Sequence, residues 1–185
     1  ELIKSQELLN RRKTAVANGV GVFNTATVKD AKGAIIVDVD GRELIDFAGG
    51  IGVVNAGHCP KPVVEAIREQ AGKYLHTSFN VVTYEPYIKL CEELAEILPH
   101  GEKTKAMLVS TGAEAVENAI KIARQATKRP TILCYTGAYH GRTMMAMTLT
   151  SKVGYKFDCG PFAPEVYRLP FPNFYRYGGE RDEET

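Results

Sequence analysis

The stretch from Lys105 to Tyr135 limits the possible folds of this chain most. Lys105-Ala-Met-Leu-Val-Ser110 is an apolar run with the length of a buried strand. From Gly112 to Lys128, Ala115, Val116, Ala119, Ile120, Ile122 and Ala123 recur at helical spacing, and Pro130 ends the run. Thr131-Ile-Leu-Cys-Tyr135 reads as a second strand. Strand, helix and strand in this order form a βαβ unit, whose strands are expected to lie parallel and to be joined by a right-handed crossover. Residues 166–169 are expected to add a further strand. The fold class is therefore α/β, with a largely parallel sheet.

Upstream the pattern differs. Residues 1–18 read as a short amphipathic helix with Leu2, Ile3, Leu8 and Leu9 as its apolar positions. Three short strands are expected at Thr25–Val28, Ile35–Val39 and Arg42–Phe47, separated by the turn sequences Asp30-Ala-Lys-Gly33 and Asp40-Gly41. Asp-Gly between β-rich runs signals a hairpin whose two central residues both take positive φ. This is a small antiparallel meander. The glycines of Phe47-Ala-Gly-Gly-Ile-Gly52 suggest a backbone pressed close to something, or a crossing between domains. Two helices follow, one with Val63, Val64, Ile67 and Ala71 on a face, the other with Tyr87, Leu90, Leu94 and Leu98. Pro86 suits the first turn of the second. Residues 1–57 are thus expected to form an N-terminal segment carrying the meander, and 58–185 the first part of a large α/β domain.

Composition narrows the function. Basic and acidic side chains number 23 and 22 and are dispersed, which argues against a nucleic-acid or membrane-surface partner. No run approaches the roughly 18 apolar residues of a membrane span, and Glu1–Glu7 lacks the layout of a signal peptide. The four cysteines (Cys59, Cys91, Cys134, Cys159) form no CxxC pair and read as free thiols of a cytoplasmic protein. No metal site is expected, because His58-Cys59, His76, His100 and His140 have no partners at ligand spacing. The polar tail Gly178–Thr185 completes no element, and the aromatics of Phe171–Tyr177 have no later element to pack on. The sequence is expected to be a truncated portion of a longer protein.

Two segments carry chemistry. Ser110-Thr-Gly-Ala-Glu-Ala-Val-Glu-Asn118 lies where a strand gives way to a helix, so its first N–H groups and the helix dipole offer an anion site suited to phosphate. Thr111-x-x-Glu114 equally fits a capping box, which needs no ligand, and Glu114 would disfavour an anion if it pointed at the site. Thr136-Gly-Ala-Tyr-His-Gly-Arg-Thr143 follows the next strand, so both segments are expected at one carboxyl edge, where open α/β sheets bind ligands. Tyr139 can stack on a ring and Arg142 can grip a carboxylate. Together these suit a phosphorylated aromatic cofactor and a carboxylate substrate.

The motifs Asp46-Phe-Ala-Gly-Gly-Ile51, Asn55-Ala-Gly-His58, Tyr84-Glu-Pro-Tyr87, Thr111-Gly-Ala-Glu-Ala-Val-Glu-Asn-Ala119 and Gly137-Ala-Tyr-His-Gly-Arg-Thr143 resemble the N-terminal portion of class III pyridoxal-phosphate-dependent aminotransferases, the 4-aminobutyrate branch being nearest. The resemblance implies a fold-type I transferase with pyridoxal 5'-phosphate as cofactor and amino and keto acids as substrates. It also implies a homodimer or dimer of dimers with active sites at the subunit interface. It puts the phosphate on Gly112 and Ala113, the ring-covering aromatic on Tyr139 with His140 beside it, the substrate carboxylate on Arg142, and Ile51 in the pocket wall. Many relatives carry Ser at the Ala113 position, so one hydroxyl contact is missing here. After His58 the chain reads Cys-Pro-Lys-Pro where relatives often have His-Pro, which bears on the local turn. No catalytic residue is assigned within the chain: the family's Schiff-base lysine, the aspartate that pairs with the pyridine nitrogen and the second substrate arginine are expected downstream of residue 185. The polypeptide by itself is therefore expected to be inactive. Alternatives are an ornithine or acetylornithine transaminase, a nucleotide- or sugar-phosphate-binding α/β domain, and a non-catalytic interaction fragment.

Overall fold

A computed structural model describes residues 3–101 and 103–177. Their contacts fall into two compact units, one ending at Thr83 and the other starting at Tyr84. The boundary expected at 57/58 lies inside the first unit. There a two-way bridge, Gly33 N to His58 O at 3.0 Å and His58 N to Gly33 O at 2.8 Å, ties that position to the meander.

The first unit begins with α1 (Ile3–Ala15) and the strands β1 (Val28–Lys32), β2 (Ile35–Asp38) and β3 (Glu43–Ile45), paired antiparallel in the order β1-β2-β3. The expected meander is present, with two shifts. Asp30-Ala-Lys32 belongs to β1, and the first turn is the tight Gly33-Ala34 link between paired Lys32 and Ile35. Thr25–Thr27 is not a strand. The second turn is a three-residue loop in which only Gly41 has positive φ, +87°. Gly41 N reaches Asp38 O at 3.0 Å, and Asp38 N reaches Arg42 O at 3.0 Å. This is a type I turn closed by a left-handed glycine, so only one left-handed residue is needed rather than two.

Asp40 in that loop also caps α1, accepting Lys4 N at 2.9 Å and Ser5 N at 3.0 Å. Its neighbour Asp38 is fully enclosed and accepts Asp40 N, Arg42 N and Arg42 Nε at 3.0, 2.8 and 2.6 Å. Burial alone would raise the Asp38 pKa, but the N–H donors and guanidinium of Arg42, with Asp40 N–H, hold it below its ordinary 3.8. A depressed carboxylate contributes stability that is complete above the ordinary value and is lost as pH falls through the folded one. Asp38→Asn is accordingly expected to weaken the protein at neutral pH and to flatten the acid side of its stability profile. Urea midpoints across a pH series check this; an unchanged slope would count against it.

The Phe47–Gly52 glycines meet a local backbone requirement. Gly49–Gly52 (α2) is a single left-handed turn, with φ of 54°, 61°, 60° and 79° at Gly49, Gly50, Ile51 and Gly52. Left-handed φ costs an L-residue roughly 1–2 kcal/mol, so three glycines here relieve strain that Ile51 alone retains. A Cβ on Gly49 or Gly52 would meet open space, so nothing within the unit presses on them. Asp46 closes this loop, accepting Ala48 N and Gly49 N at 2.9 Å and lying 2.7 Å from His58 Nε2. α3 (Lys61–Ala71) completes the unit with the expected register, Pro62 in its first turn, and Val63 and Ile67 exposed.

The second unit holds α4 (Glu85–Ile97), α5 (Gly112–Thr127), β4 (Ile132–Tyr135), α6 (Met144–Leu149), a 3₁₀ turn (Val153–Tyr155), β5 (Val166–Leu169) and α7 (Phe174–Tyr177). β4 and β5 pair in parallel, from Ile132↔Val166 to Tyr135↔Leu169. The strand expected at 105–110 is not laddered to β4. The segment alternates as a strand would, with Ala106 and Leu108 half-buried and Met107 and Val109 exposed. Its polar contacts run to α4 instead: Leu108 N donates to Tyr87 Oη at 3.0 Å, and the Cys91 thiol to Ala106 O at 3.6 Å. Apolar alternation makes a segment fit for a sheet but does not supply the partner edge.

Ile120, Cys134, Met145 and Leu149 form the core, with Val116, Ile132, Ala163 and Val166 against it. α5 and α6 are thereby packed around β4 and β5. Phe171 meets Tyr135 edge-on at 5.4 Å, and a one-turn helix follows where neither helix nor strand is expected. The tail 178–185 lies outside the described residues. Among the described residues no helix is long and apolar enough to cross a membrane, no group of three His, Cys, Asp or Glu could hold a metal ion, and all four cysteines are free.

Candidate functional site

The site lies beyond the carboxyl end of β4, where the amino end of α5 meets the loop Thr136–Thr143. Thr111 is the N-cap of α5: its Oγ1 accepts Glu114 N at 3.1 Å. Glu114 turns back and accepts Ser110 N and Thr111 N at 2.8 and 3.0 Å. The capping box is therefore present, and it identifies the donors that remain. Ala115 N bonds Thr111 O, while Gly112 N and Ala113 N have no acceptor among the described residues. Capping and anion binding thus use different N–H groups of one helix end.

The loop is fixed by contacts that no sequence periodicity carries. Glu117 Oε1, half-way along the first turns of α5, accepts Thr143 Oγ1 at 2.6 Å, Met145 N at 3.1 Å and Ala146 N at 3.3 Å. A carboxylate from one helix so caps the start of the next. Thr150, fully buried, accepts His140 N at 2.9 Å, and its hydroxyl lies 2.9 Å from Gly141 O and 3.1 Å from Ala146 O. Gly141, at φ +118°, is the point of closest approach. A Cβ added there would fall 2.7 Å from Ala113 Cβ and 3.2 Å from Ala146 Cβ.

These constraints leave an open cleft of about 600 Å³ lined by Gly112, Ala113, Tyr139, His140 and Arg142, among others. The structure thus brings five sequence-selected residues together, although the strand expected before Thr111 is not laddered. Ile51 belongs to the first unit and is not one of the lining residues; its side chain is exposed. Tyr139 is 58% exposed, so a ring face is open for stacking. His140 Nε2 is closed to solvent and has no hydrogen-bond partner among the described residues. Arg142 makes no ion pair among them, and its guanidinium lies 5.7 Å from the centroid of the Tyr155 ring.

Sequence reasoning missed Glu117, Thr150 and Tyr155. The contacts of Glu117 span 26 to 29 positions, and those of Thr150 to His140 and Gly141 span 10 and 9, beyond any local pattern. Thr150→Val keeps the side-chain shape but leaves His140 N–H buried without an acceptor. It is expected to cost about 2 kcal/mol, as for other buried donors left unpaired, and chemical denaturation measures it. A loss no larger than that of an exposed threonine would contradict this role.

Comparison with known proteins places the chain in a family. The description "aminotransferase class-III" matches residues 15–185. The chain is 46% identical over 184 residues to a probable 4-aminobutyrate aminotransferase of Bacillus subtilis, covering 99% of this chain and 42% of that enzyme. It is 52% identical over 169 residues to a 5-aminovalerate aminotransferase of Pseudomonas aeruginosa, covering 91% and 40%. It thus spans about two fifths of the length of these relatives. Among solved structures, the taurine:2-oxoglutarate aminotransferase of Bifidobacterium kashiwanohense superposes with a TM-score of 0.85 at 26% identity, covering 97% of this chain and 41% of that one. The architecture is that of part of a fold-type I transferase. By sequence and by fold, this chain belongs to the class-III aminotransferases.

Proposed function

We propose that this chain is the N-terminal portion of a transaminase that moves an amino group from an ω-amino acid, 4-aminobutyrate foremost, to 2-oxoglutarate through pyridoxal phosphate. One observation carries the reading: two helix N–H groups, an open aromatic face, a buried imidazole nitrogen and an arginine, the donors all without partners among the described residues, share one cleft. That donor set fits a phosphorylated pyridine with a carboxylate beside it. Gly112 N and Ala113 N would hold the phosphate, Tyr139 would cover the ring, and His140 would stand next to it. Arg142 grips the substrate carboxylate, and Ile51 is assigned to the pocket wall from the family resemblance. Pyridoxal phosphate, when bound, supplies an electron sink for the carbon that gives up a proton.

The relatives named for 4-aminobutyrate and 5-aminovalerate support this donor class, since both molecules carry a terminal amine and a terminal carboxylate. They do not favour an ornithine-type donor or a nucleotide- or sugar-phosphate-binding role. A homodimer or dimer of dimers in the cytoplasm is proposed for the full-length protein, supported by the resemblance and by the four free cysteines. No lysine lines the cleft among the described residues. Transamination requires a lysine to hold the cofactor and to shuttle a proton, so the 185-residue polypeptide alone is proposed to be inactive.

The test has two arms. The full-length protein is titrated with pyridoxal phosphate by visible absorbance, then supplied with 4-aminobutyrate and 2-oxoglutarate and assayed for glutamate. Cofactor binding and glutamate are expected; no spectral change would refute the cofactor, and activity with ornithine alone would refute the donor. The 185-residue chain under the same conditions is expected to yield none, and glutamate formation by it would overturn that part.

A further inference from the structure

We propose that Tyr155 is a positioning residue, whose single ring orients both the aromatic that covers the cofactor and the guanidinium that binds the substrate carboxylate. This rests on the functional reading given above. The Tyr155 and Tyr139 rings meet edge to face, centroids 5.8 Å apart and planes at 67°. Arg142 Cζ lies 5.7 Å from the Tyr155 centroid, and Lys152 Nζ lies 4.8 Å from it. Aromatic rings carry negative faces and a positive edge, so one ring can engage a cation and a second ring at once.

The need for such a residue follows from exposure. Tyr139 and Arg142 both project into an open cleft, and Arg142 has no ion pair among the described residues. A free arginine loses substantial side-chain entropy when it grips a ligand, and pre-orientation reduces that loss. Tyr155 is half-buried and its own backbone is pinned: its N–H donates to Lys152 O at 3.2 Å, and Lys156 N donates to Val153 O at 2.8 Å. Lys156 Nζ then reaches Thr148 O at 3.3 Å, fastening the turn to the end of α6. The ring is therefore held from the side of the core while the two residues it touches face the cleft. Lys152 on the same ring adds positive potential near Arg142, which favours carboxylates.

The experiment uses the full-length protein, unmodified and as Y155F, Y155M and Y155L. The two non-aromatic replacements guard against one of them failing to fold, and thermal unfolding of each apo protein reports folding. Two constants are read: the Kd of the apo protein for pyridoxal phosphate, by fluorescence titration, and KM with kcat for 4-aminobutyrate. Y155F is expected within about twofold of the unmodified protein in both, because the ring and not the hydroxyl makes the contacts. Y155M and Y155L are expected to raise KM about 5- to 10-fold and Kd about 3- to 5-fold, with kcat nearly unchanged, the size typical of losing one aromatic pair and one cation–ring contact. Unchanged constants in the non-aromatic variants would overturn the proposal, as would a Y155F as impaired as they are. Failure of the unmodified protein to bind pyridoxal phosphate would overturn the functional reading itself, and this inference with it.

Discussion

Gly141→Ala is expected to destabilise the protein by about 3–4 kcal/mol and to weaken pyridoxal phosphate binding roughly 100-fold. Two effects add at this position. At φ +118° an alanine is strained wherever it points. The added carbon would also sit 2.7 Å from Ala113 Cβ, closer than real Cβ atoms come, and 3.0 Å from Ala113 Cα, a tight contact in itself. The obstacle is partly backbone, at the start of a 16-residue helix, so no flexible side chain can swing aside. Either the loop moves out or the end of α5 moves, and both carry a donor away from the cleft. Gly137→Ala separates strain from collision. Gly137 also has positive φ, +89°, but a Cβ there meets open space, so only about 1–2 kcal/mol of strain is expected. Urea unfolding and cofactor titration of both variants in the full-length protein test this, and equal losses would show that the contact with Ala113 does not matter.

The same contact explains what the sequence could and could not reveal. Periodicity placed α3, α4 and α5 correctly, because each carries an apolar stripe at helical spacing over three or more turns. The Thr111–Glu114 box was readable because capping is local, with both partners within three residues. The capping reading and the anion reading looked like rivals in one dimension, and only the count of remaining N–H donors reconciles them. α6 was not legible: Met144–Leu149 is six residues, all but the first buried, and a segment without a polar face shows no period. The unladdered 105–110 segment misled for the opposite reason, having a strand's composition without a strand's partner. Glu117 and Thr150 were invisible because the hydrogen bonds that fix the loop, from Glu117 to Thr143 and from His140 to Thr150, close over 26 and 10 positions, set by how α5 and α6 pack on β4.

Arg142→Gln is expected to raise KM for 4-aminobutyrate about 100-fold while leaving the Kd for pyridoxal phosphate within about twofold. A forked, charge-assisted pair with a carboxylate contributes on the order of 3 kcal/mol, about a hundredfold in affinity. Glutamine keeps a donor and much of the side-chain length but loses the charge and the fork. Arg142→Lys keeps the charge and loses only the fork, so a loss of roughly tenfold is expected. The separation between cofactor and substrate constants is what makes the test specific. Arg142 adjoins Tyr139 through the Tyr155 ring, so general damage to the loop would weaken cofactor and substrate together. A primary amine of the same length without a carboxylate provides the second control. It gives Arg142 nothing to grip, so its rate should be the same in the unmodified protein and in R142Q. If both donors lose equally, the arginine supports the loop rather than the substrate, and carboxylate recognition must be sought elsewhere in the full-length protein.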